Sequence, residues 1–88
     1  MPEVQWHPLA WDVLDKLSET QARRISQTAR LLRTFPNLGA IVQYPGWSNM
    51  RRVLAGGWSI VYAYDPDRDL VTVYILRPPR VGWTSELG

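Results

Sequence analysis

The sequence contains no cysteine, and His7 and Lys16 are its only histidine and lysine. Without cysteine, neither disulfide bonds nor a thiolate zinc site can reinforce the core, and a cysteine nucleophile is excluded. A single histidine cannot form a paired-histidine metal site or a histidine acid–base pair, so we expect His7 to cap or flank a helix. The sequence therefore predicts neither a resident metal nor another cofactor.

Long apolar runs are also missing. No run approaches the ~20 residues of a membrane span, and the N-terminus lacks the basic start and apolar stretch of a signal peptide. We therefore expect a cytoplasmic protein without membrane contact. The 88 residues leave room for one domain, residues 1–88, which would bury ~60–65% of its unfolded surface.

The basic residues are almost all arginine, nine of ten. Arginine suits bidentate contacts with phosphate or carboxylate groups, although a general compositional bias explains the excess equally well. The net charge of +2 and the pI of about 9.4 are only mildly basic. Total charge therefore does not establish a nucleic-acid partner.

Residues 50–64 predict a β-hairpin, because two alternating apolar runs flank Gly56 and Gly57. A two-glycine turn fixes the register and so divides the side chains between two faces. One face carries Arg51, Val53, Ala55, Trp58, Ile60, Tyr62 and Tyr64, and the other carries Met50, Arg52, Leu54, Ser59, Val61 and Ala63. The first face has the bulk of a core layer, and the second, with mixed chemistry, is the expected functional face.

The segment before the hairpin predicts a short strand over residues 3–6 and a helix over residues 8–17, where apolar residues recur at helical spacing. Ser18 and Gln21 have the spacing of a capping box, which would start a second helix directly after the first. An irregular link is expected after the turn residues at 35–39.

A last strand is expected at residues 70–76, where β-branched and aromatic residues dominate. The order of elements predicts an α+β fold of the type β-α-α-β-β-β. We expect a small antiparallel sheet with two N-terminal helices packed on one face.

Arg52 projects from the mixed face of the hairpin, and Arg77 and Arg80 end the last predicted strand. In a meander these three residues would converge. Such a group can hold an RNA phosphate backbone and stabilise charge on a scissile phosphate, and it can equally bind an acidic protein segment. The sequence shows no general base beside it, so binding and cleavage both stay open.

Four segments together resemble the RelE/ParE toxin superfamily of bacterial type II toxin–antitoxin systems. They are VQWHPLAWDVLDKL, PNLG, YPGWSNMRRVLAGGWSIVYAYD and VTVYILRPPR, and they span nearly the full chain. The resemblance implies a sheet with two N-terminal helices packed against it. It also implies a growth-inhibiting toxin that a cognate antitoxin protein wraps and neutralises.

The RelE-like branch cleaves mRNA on the ribosome with basic residues on the hairpin, an arginine after the last strand and often a C-terminal tyrosine. By resemblance, Arg52 matches a hairpin cation and Arg80 matches the later arginine, so both are the expected catalytic residues. The expected substrate-binding residues are Arg51, Arg77, Ser59 and Trp83.

Three positions that are often basic in the RelE-like branch carry Met50, Leu54 and Ser59 here, and no tyrosine follows Tyr74. The ParE-like branch inhibits DNA gyrase without a nuclease site, and a degenerate member would bind only its antitoxin. Our leading hypothesis is a toxin that cleaves ribosome-bound mRNA, with gyrase inhibition and antitoxin binding alone as the alternatives.

Overall fold

The computed structural model describes residues 2–43 and 45–79. Its elements are β1 (Glu3–Trp6), α1 (Pro8–Asp15), α2 (Glu19–Leu31), β2 (Ala40–Ile41), β3 (Met50–Ala55), β4 (Trp58–Asp65) and β5 (Leu70–Arg77). The strands form one five-stranded sheet in the order β1-β5-β4-β3-β2. The α+β class and the two N-terminal helices are confirmed.

Two side-chain caps begin the helices. His7 precedes α1, and its Nδ1 accepts the backbone N–H of Leu9 at 3.2 Å, while Ser18 Oγ accepts the N–H of Gln21 at 3.2 Å before α2. The predicted Ser18 cap is therefore present, but Gln21 Oε1 accepts from the Ser18 hydroxyl at 3.3 Å and not from the backbone N–H that a reciprocal capping box uses. α1 ends at Asp15, two residues before the predicted end, because the chain tightens there into the turn that leads to Ser18.

The hairpin register is the predicted one. Ala55 pairs with Trp58 and Arg52 pairs with Val61 across β3 and β4. Gly56 and Gly57 have φ values of 59° and 87°, the left-handed conformations that a two-residue hairpin turn of this kind requires. The two glycines of the turn thus account for the observed pairing of β3 with β4.

The sheet is mixed, so the expectation of a purely antiparallel sheet is wrong at one edge. β1 pairs with β5 in parallel, starting with Glu3 beside Leu70, whereas the other neighbouring strands are antiparallel. Residues 40 and 41, expected to be irregular, form β2 beside Arg52 and Arg51. Alternation within a strand indicates its buried face but not its partner, and β2 is too short to carry a pattern.

Both helices pack on the face formed by Val53, Trp58, Ile60 and Tyr62, as the register predicts. We call this the helix-covered face and the opposite one the distal face. From α2, Ile25 and Leu32 are fully buried against the sheet. Burying side chains of this size stabilises a fold by about 1.5–3 kcal/mol each. The distal face carries the alternate positions of β3 and β4, which are Met50, Arg52, Leu54, Ser59, Val61 and Ala63.

Tyr62 and Arg51 attach the link between α2 and β2 to the sheet. The buried Tyr62 hydroxyl accepts the N–H of Gly39 at 2.9 Å and donates to the carbonyl of Pro36 at 2.8 Å. Arg51 donates to the carbonyl of Gly39 at 2.7 Å and, at 3.4 Å, to that of Asn37. We call these four contacts the link clamp. Burial raises the pKa of Tyr62, although the Gly39 N–H and the Arg51 charge oppose the shift.

Gly39 lies too close to the sheet for any larger residue. A Cβ there would be 2.7 Å from the carbonyl oxygen of Arg52 and 3.0 Å from Tyr62 Cε1. We predict that Gly39→Ala lowers the free energy of unfolding in urea by about 3 kcal/mol, since backbone cannot easily move aside. Gly46→Ala is the control, because Gly46 has φ +78° but nothing within 4 Å, and it should cost about 1 kcal/mol. Equal losses would contradict the close contact at Gly39.

Tyr62→Phe should destabilise the fold by about 1–3 kcal/mol in urea denaturation, because the buried N–H of Gly39 and the part-buried carbonyl of Pro36 lose their hydrogen bonds. Tyr64→Phe is the matched control, since the Tyr64 hydroxyl donates to Asp69 Oδ1 at 2.8 Å in an exposed position. It should change stability little. Similar losses in both variants would show that the link clamp does not hold the fold together.

The pH dependence of stability provides a second readout for Tyr62. Its raised pKa means that the phenol ionises more readily in the unfolded chain than in the folded one. The stabilisation from this difference is complete below about pH 10 and is lost as the pH rises through the folded pKa. Stability should therefore fall less steeply above about pH 10 in Tyr62→Phe than in the parent chain. Identical alkaline profiles would contradict burial of a neutral phenol.

Candidate nucleic-acid interface

Arg52 and Arg77 lie on neighbouring cross-strand rows of the distal face. Arg52 pairs with Val61, which pairs in turn with Ile75 on β5. One row nearer the hairpin turn, Ser59 pairs with both Leu54 and Arg77. The register therefore brings Arg52, Ser59 and Arg77 to one end of the same face.

The two arginines approach this end from strands on either side of β4. Neighbouring strands lie ~4.8 Å apart and two residues span ~6.6 Å along a strand, which separates their Cα atoms by roughly 12 Å. Both side chains are exposed, and Ser59 between them is half-buried. Two long cationic side chains around a small hydroxyl can contact one anionic chain at two points.

The other predicted site residues have different positions. Arg51 lies on the helix-covered face, where the link clamp engages its guanidinium. Arg80 and Trp83 lie outside the described residues. The structure thus brings together three of the six predicted positions, Arg52, Ser59 and Arg77.

Two of the positions that are often basic in the RelE-like branch, 50 and 54, differ in how far their side chains are buried here. Met50 is buried at 4% exposure, although it belongs to the distal face, whereas Leu54 is 61% exposed. Val61 on the same face is also fully buried. The face that the sequence predicts to be mixed is therefore partly a buried apolar layer. Leu54 is a large apolar side chain that this face exposes beside Arg52.

Three aromatic rings across the distal face were not anticipated as a group. The ring centroids of His7 and Tyr74 are 5.6 Å apart with a 36° tilt, and those of Trp47 and Tyr74 are 6.3 Å apart at 65°. We call Trp47, Tyr74 and His7 the aromatic row. The sequence identified His7 as a residue that caps or flanks a helix, but gave no sign that Trp47 and Tyr74 would join it.

A β-bulge explains the position of Tyr74. Val61 pairs with Ile75, but the next residue, Tyr62, pairs with Val73, so that Tyr74 is the extra residue of β5. Such a bulge re-aims a side chain and cannot be read from alternation. Tyr74 lines a cleft together with Ala63 and Thr72, which are both on the distal face.

Charge changes sign along the distal face. Arg52 and Arg77 lie towards the hairpin turn, whereas Glu3, Leu70 and Asp65 form a row at the other end. Among residues 2–43 and 45–79, no three His, Asp or Glu side chains are placed to hold a metal ion. The side chains of Arg52 and Arg77 would attract an anionic ligand to their end of the face, which we call the arginine end.

The helix side carries a separate groove. Between α1, α2 and β1 lies a cleft of about 460 Å³ lined by Trp6, Trp11, Leu14, Arg30 and Arg33, among others. Trp11 is 53% exposed there. This cleft and the arginine end of the distal face lie on opposite sides of the sheet.

One family model matches most of the chain. It is described as the ParE toxin of the type II toxin–antitoxin system parDE, and it matches residues 4–78. No curated protein matches the chain closely enough in sequence to count as a relative.

Solved structures share the fold at low sequence identity. The isolated E. coli RelE toxin has a TM-score of 0.77 and 17% identity, over 99% of this chain and 95% of that chain. A chain of the Mycobacterium tuberculosis RelBE2 toxin–antitoxin complex gives 0.78 and 17%, over 89% and 99%. The archaeal RelE–RelB complex from Pyrococcus horikoshii gives 0.68 and 17%, over 88% and 93%.

The family match and the fold agree with the resemblance carried by the four sequence segments. The chain belongs to the RelE/ParE toxin superfamily and is the toxin component of a type II toxin–antitoxin system.

Proposed function

We propose that this toxin acts on RNA through the arginine end of the distal face and cleaves mRNA on the ribosome. The observation that carries the proposal is the convergence of Arg52 and Arg77 around Ser59 on the face opposite both helices. Phosphate contacts from arginine are the main source of affinity for nucleic acid. Because α1 and α2 do not cover this end of the sheet, a chain as long as an mRNA can reach it.

The proposed chemistry is electrostatic. A guanidinium placed at the scissile phosphate stabilises the negative charge that develops there, and a preorganised donor of this kind contributes about 10²–10³-fold in rate. We assign this role to Arg52 and Arg80. In the same proposal Arg77, Ser59 and Trp83 bind the substrate, and Arg51 contributes by fixing β3 through the link clamp.

The partner proposed for this chain is an antitoxin protein. Relatives of known structure are complexes with RelB antitoxins from E. coli, M. tuberculosis and Methanococcus jannaschii. The cleft beside Trp11, with Arg30 and Arg33 at its rim, suits an amphipathic segment with acidic residues. Since the cleft lies away from Arg52, substitution of Arg52 should leave antitoxin binding intact.

The proposed targets imply a cytoplasmic location. Within the described part of the chain, no helix is long and apolar enough to cross a membrane.

The double variant Arg52→Ala with Arg80→Ala should abolish growth inhibition when the toxin is expressed without antitoxin, because both proposed phosphate contacts are lost. Arg52→Ala alone should lower RNA cleavage by about 10²-fold. Arg68→Ala is the matched control, since the exposed Arg68 lies in the turn between β4 and β5, at the end of the sheet that carries Glu3 and Asp65. It should inhibit growth like the parent chain.

Antitoxin co-purification tests whether the double variant is folded. Full growth inhibition by a double variant that still binds antitoxin would refute the proposed site.

The second candidate function is inhibition of DNA gyrase, as in the ParE-like branch. It is favoured by the match to the ParE family model and by Leu54, which is 61% exposed beside the arginine end. An exposed apolar side chain at a functional surface suits a protein partner better than a phosphate chain.

Leu54→Arg distinguishes the two functions. An added cation should maintain or increase action on RNA, whereas it would disrupt an apolar contact with gyrase. We predict that supercoiling by purified gyrase is unaffected by saturating parent toxin, and that Leu54→Arg remains toxic. Inhibition of supercoiling that disappears in Leu54→Arg would assign the function to gyrase instead.

A further inference from the structure

We propose that the aromatic row is a stacking surface for the bases of single-stranded RNA, with Trp47 and Tyr74 as the rings that meet the bases. The inference rests on the proposed function of the distal face and adds to it a base-binding site separate from the arginine end. Aromatic side chains beside cations are the usual means by which proteins bind single-stranded nucleic acid without base-specific hydrogen bonds.

The row combines exposure with mutual support. Trp47 is 43% exposed, and its ring meets that of Tyr74 at 65°. Tyr74 and His7 are each half-buried and adjacent. The edge-to-face contact orients the rings of Trp47 and Tyr74 relative to each other while leaving part of the Trp47 ring at the surface.

Hydrogen bonds to the backbone hold the His7 end of the row in place before any ligand arrives. The N–H of His7 donates to the carbonyl of Val73 at 2.8 Å, and its Nδ1 accepts from Leu9 at 3.2 Å. The bulge determines where the Tyr74 side chain leaves β5. Rings that are already ordered lose little conformational entropy on binding, which favours stacking.

The order of cationic, aromatic and acidic side chains along the strands favours a nucleic-acid chain over an acidic peptide as the ligand. Arg52 and Arg77 attract phosphates at one end, the aromatic row follows, and the row containing Glu3 and Asp65 lies beyond it. Phosphates held at the arginine end leave the attached bases to extend over the rings. The carboxylates of the far row repel a second line of phosphates and so restrict the chain to one direction of approach.

Direct binding of RNA to the full-length toxin tests the site. The probes are a fluorescein-labelled unstructured octaribonucleotide and the same phosphate chain with its central bases removed. The parent toxin should bind the base-free probe roughly tenfold more weakly, because stacking is lost. Trp47→Leu and Tyr74→Leu should bind the complete probe about as weakly, with no further loss on the base-free probe.

Three further variants separate stacking from general damage. Trp11→Leu removes a ring on α1 that is 53% exposed, against 43% for Trp47, and should bind like the parent. Tyr74→Phe retains the ring and should bind within about threefold. Arg52→Ala should weaken binding of both probes alike, since it removes a phosphate contact. Urea denaturation identifies any variant whose loss comes from unfolding.

The outcomes separate this inference from the proposed function. If the parent toxin cleaves ribosome-bound mRNA but a folded Trp47→Leu binds both probes like Trp11→Leu, the stacking surface is refuted and the RNA function stands. If the parent toxin neither binds the probes nor cleaves mRNA, both are refuted. Preference for an acidic peptide over the complete probe would likewise overturn the stacking surface.

Discussion

The turn at Gly56 and Gly57 is the constraint on which the two faces of this protein depend. Both glycines adopt left-handed φ values, which fixes the register of β3 against β4. A slip by one residue would move every side chain of one strand to the opposite face. With β4 in place, it would bring Arg52 under the helices and turn Val53 to the distal face. The separation of core from candidate interface is thus a direct consequence of one tight turn.

The backbone of β3 connects the core on one face of the sheet to the candidate nucleic-acid interface on the other. Gly39 packs so closely that a side chain there would meet the Arg52 carbonyl oxygen, and the Tyr62 hydroxyl binds the Gly39 N–H from within the core. Arg51 and Arg52 therefore have opposite roles although they are neighbours. Arg51 holds the link on one face, and Arg52 is presented from a backbone that the link helps to fix on the other.

Local patterns predicted the features that depend on neighbouring residues. The hairpin register, the Ser18 cap and the core face follow from spacing and turn chemistry alone. The parallel pairing of β1, the bulge at Tyr74 and the burial of Met50 depend on contacts between distant segments, about which alternation is silent. The aromatic row, drawn from positions 7, 47 and 74, was missed for the same reason, and the positions of Arg80 and Trp83 stay predictions.

We propose that this toxin cleaves RNA on the ribosome with the distal face of its sheet. The most direct measurement is to map the ends of a defined mRNA, held on purified ribosomes with an empty A site, after adding the toxin. We predict new ends within the A-site codon with the parent toxin and their loss with Arg52→Ala. An intact mRNA at saturating folded toxin, together with inhibited gyrase, would contradict it.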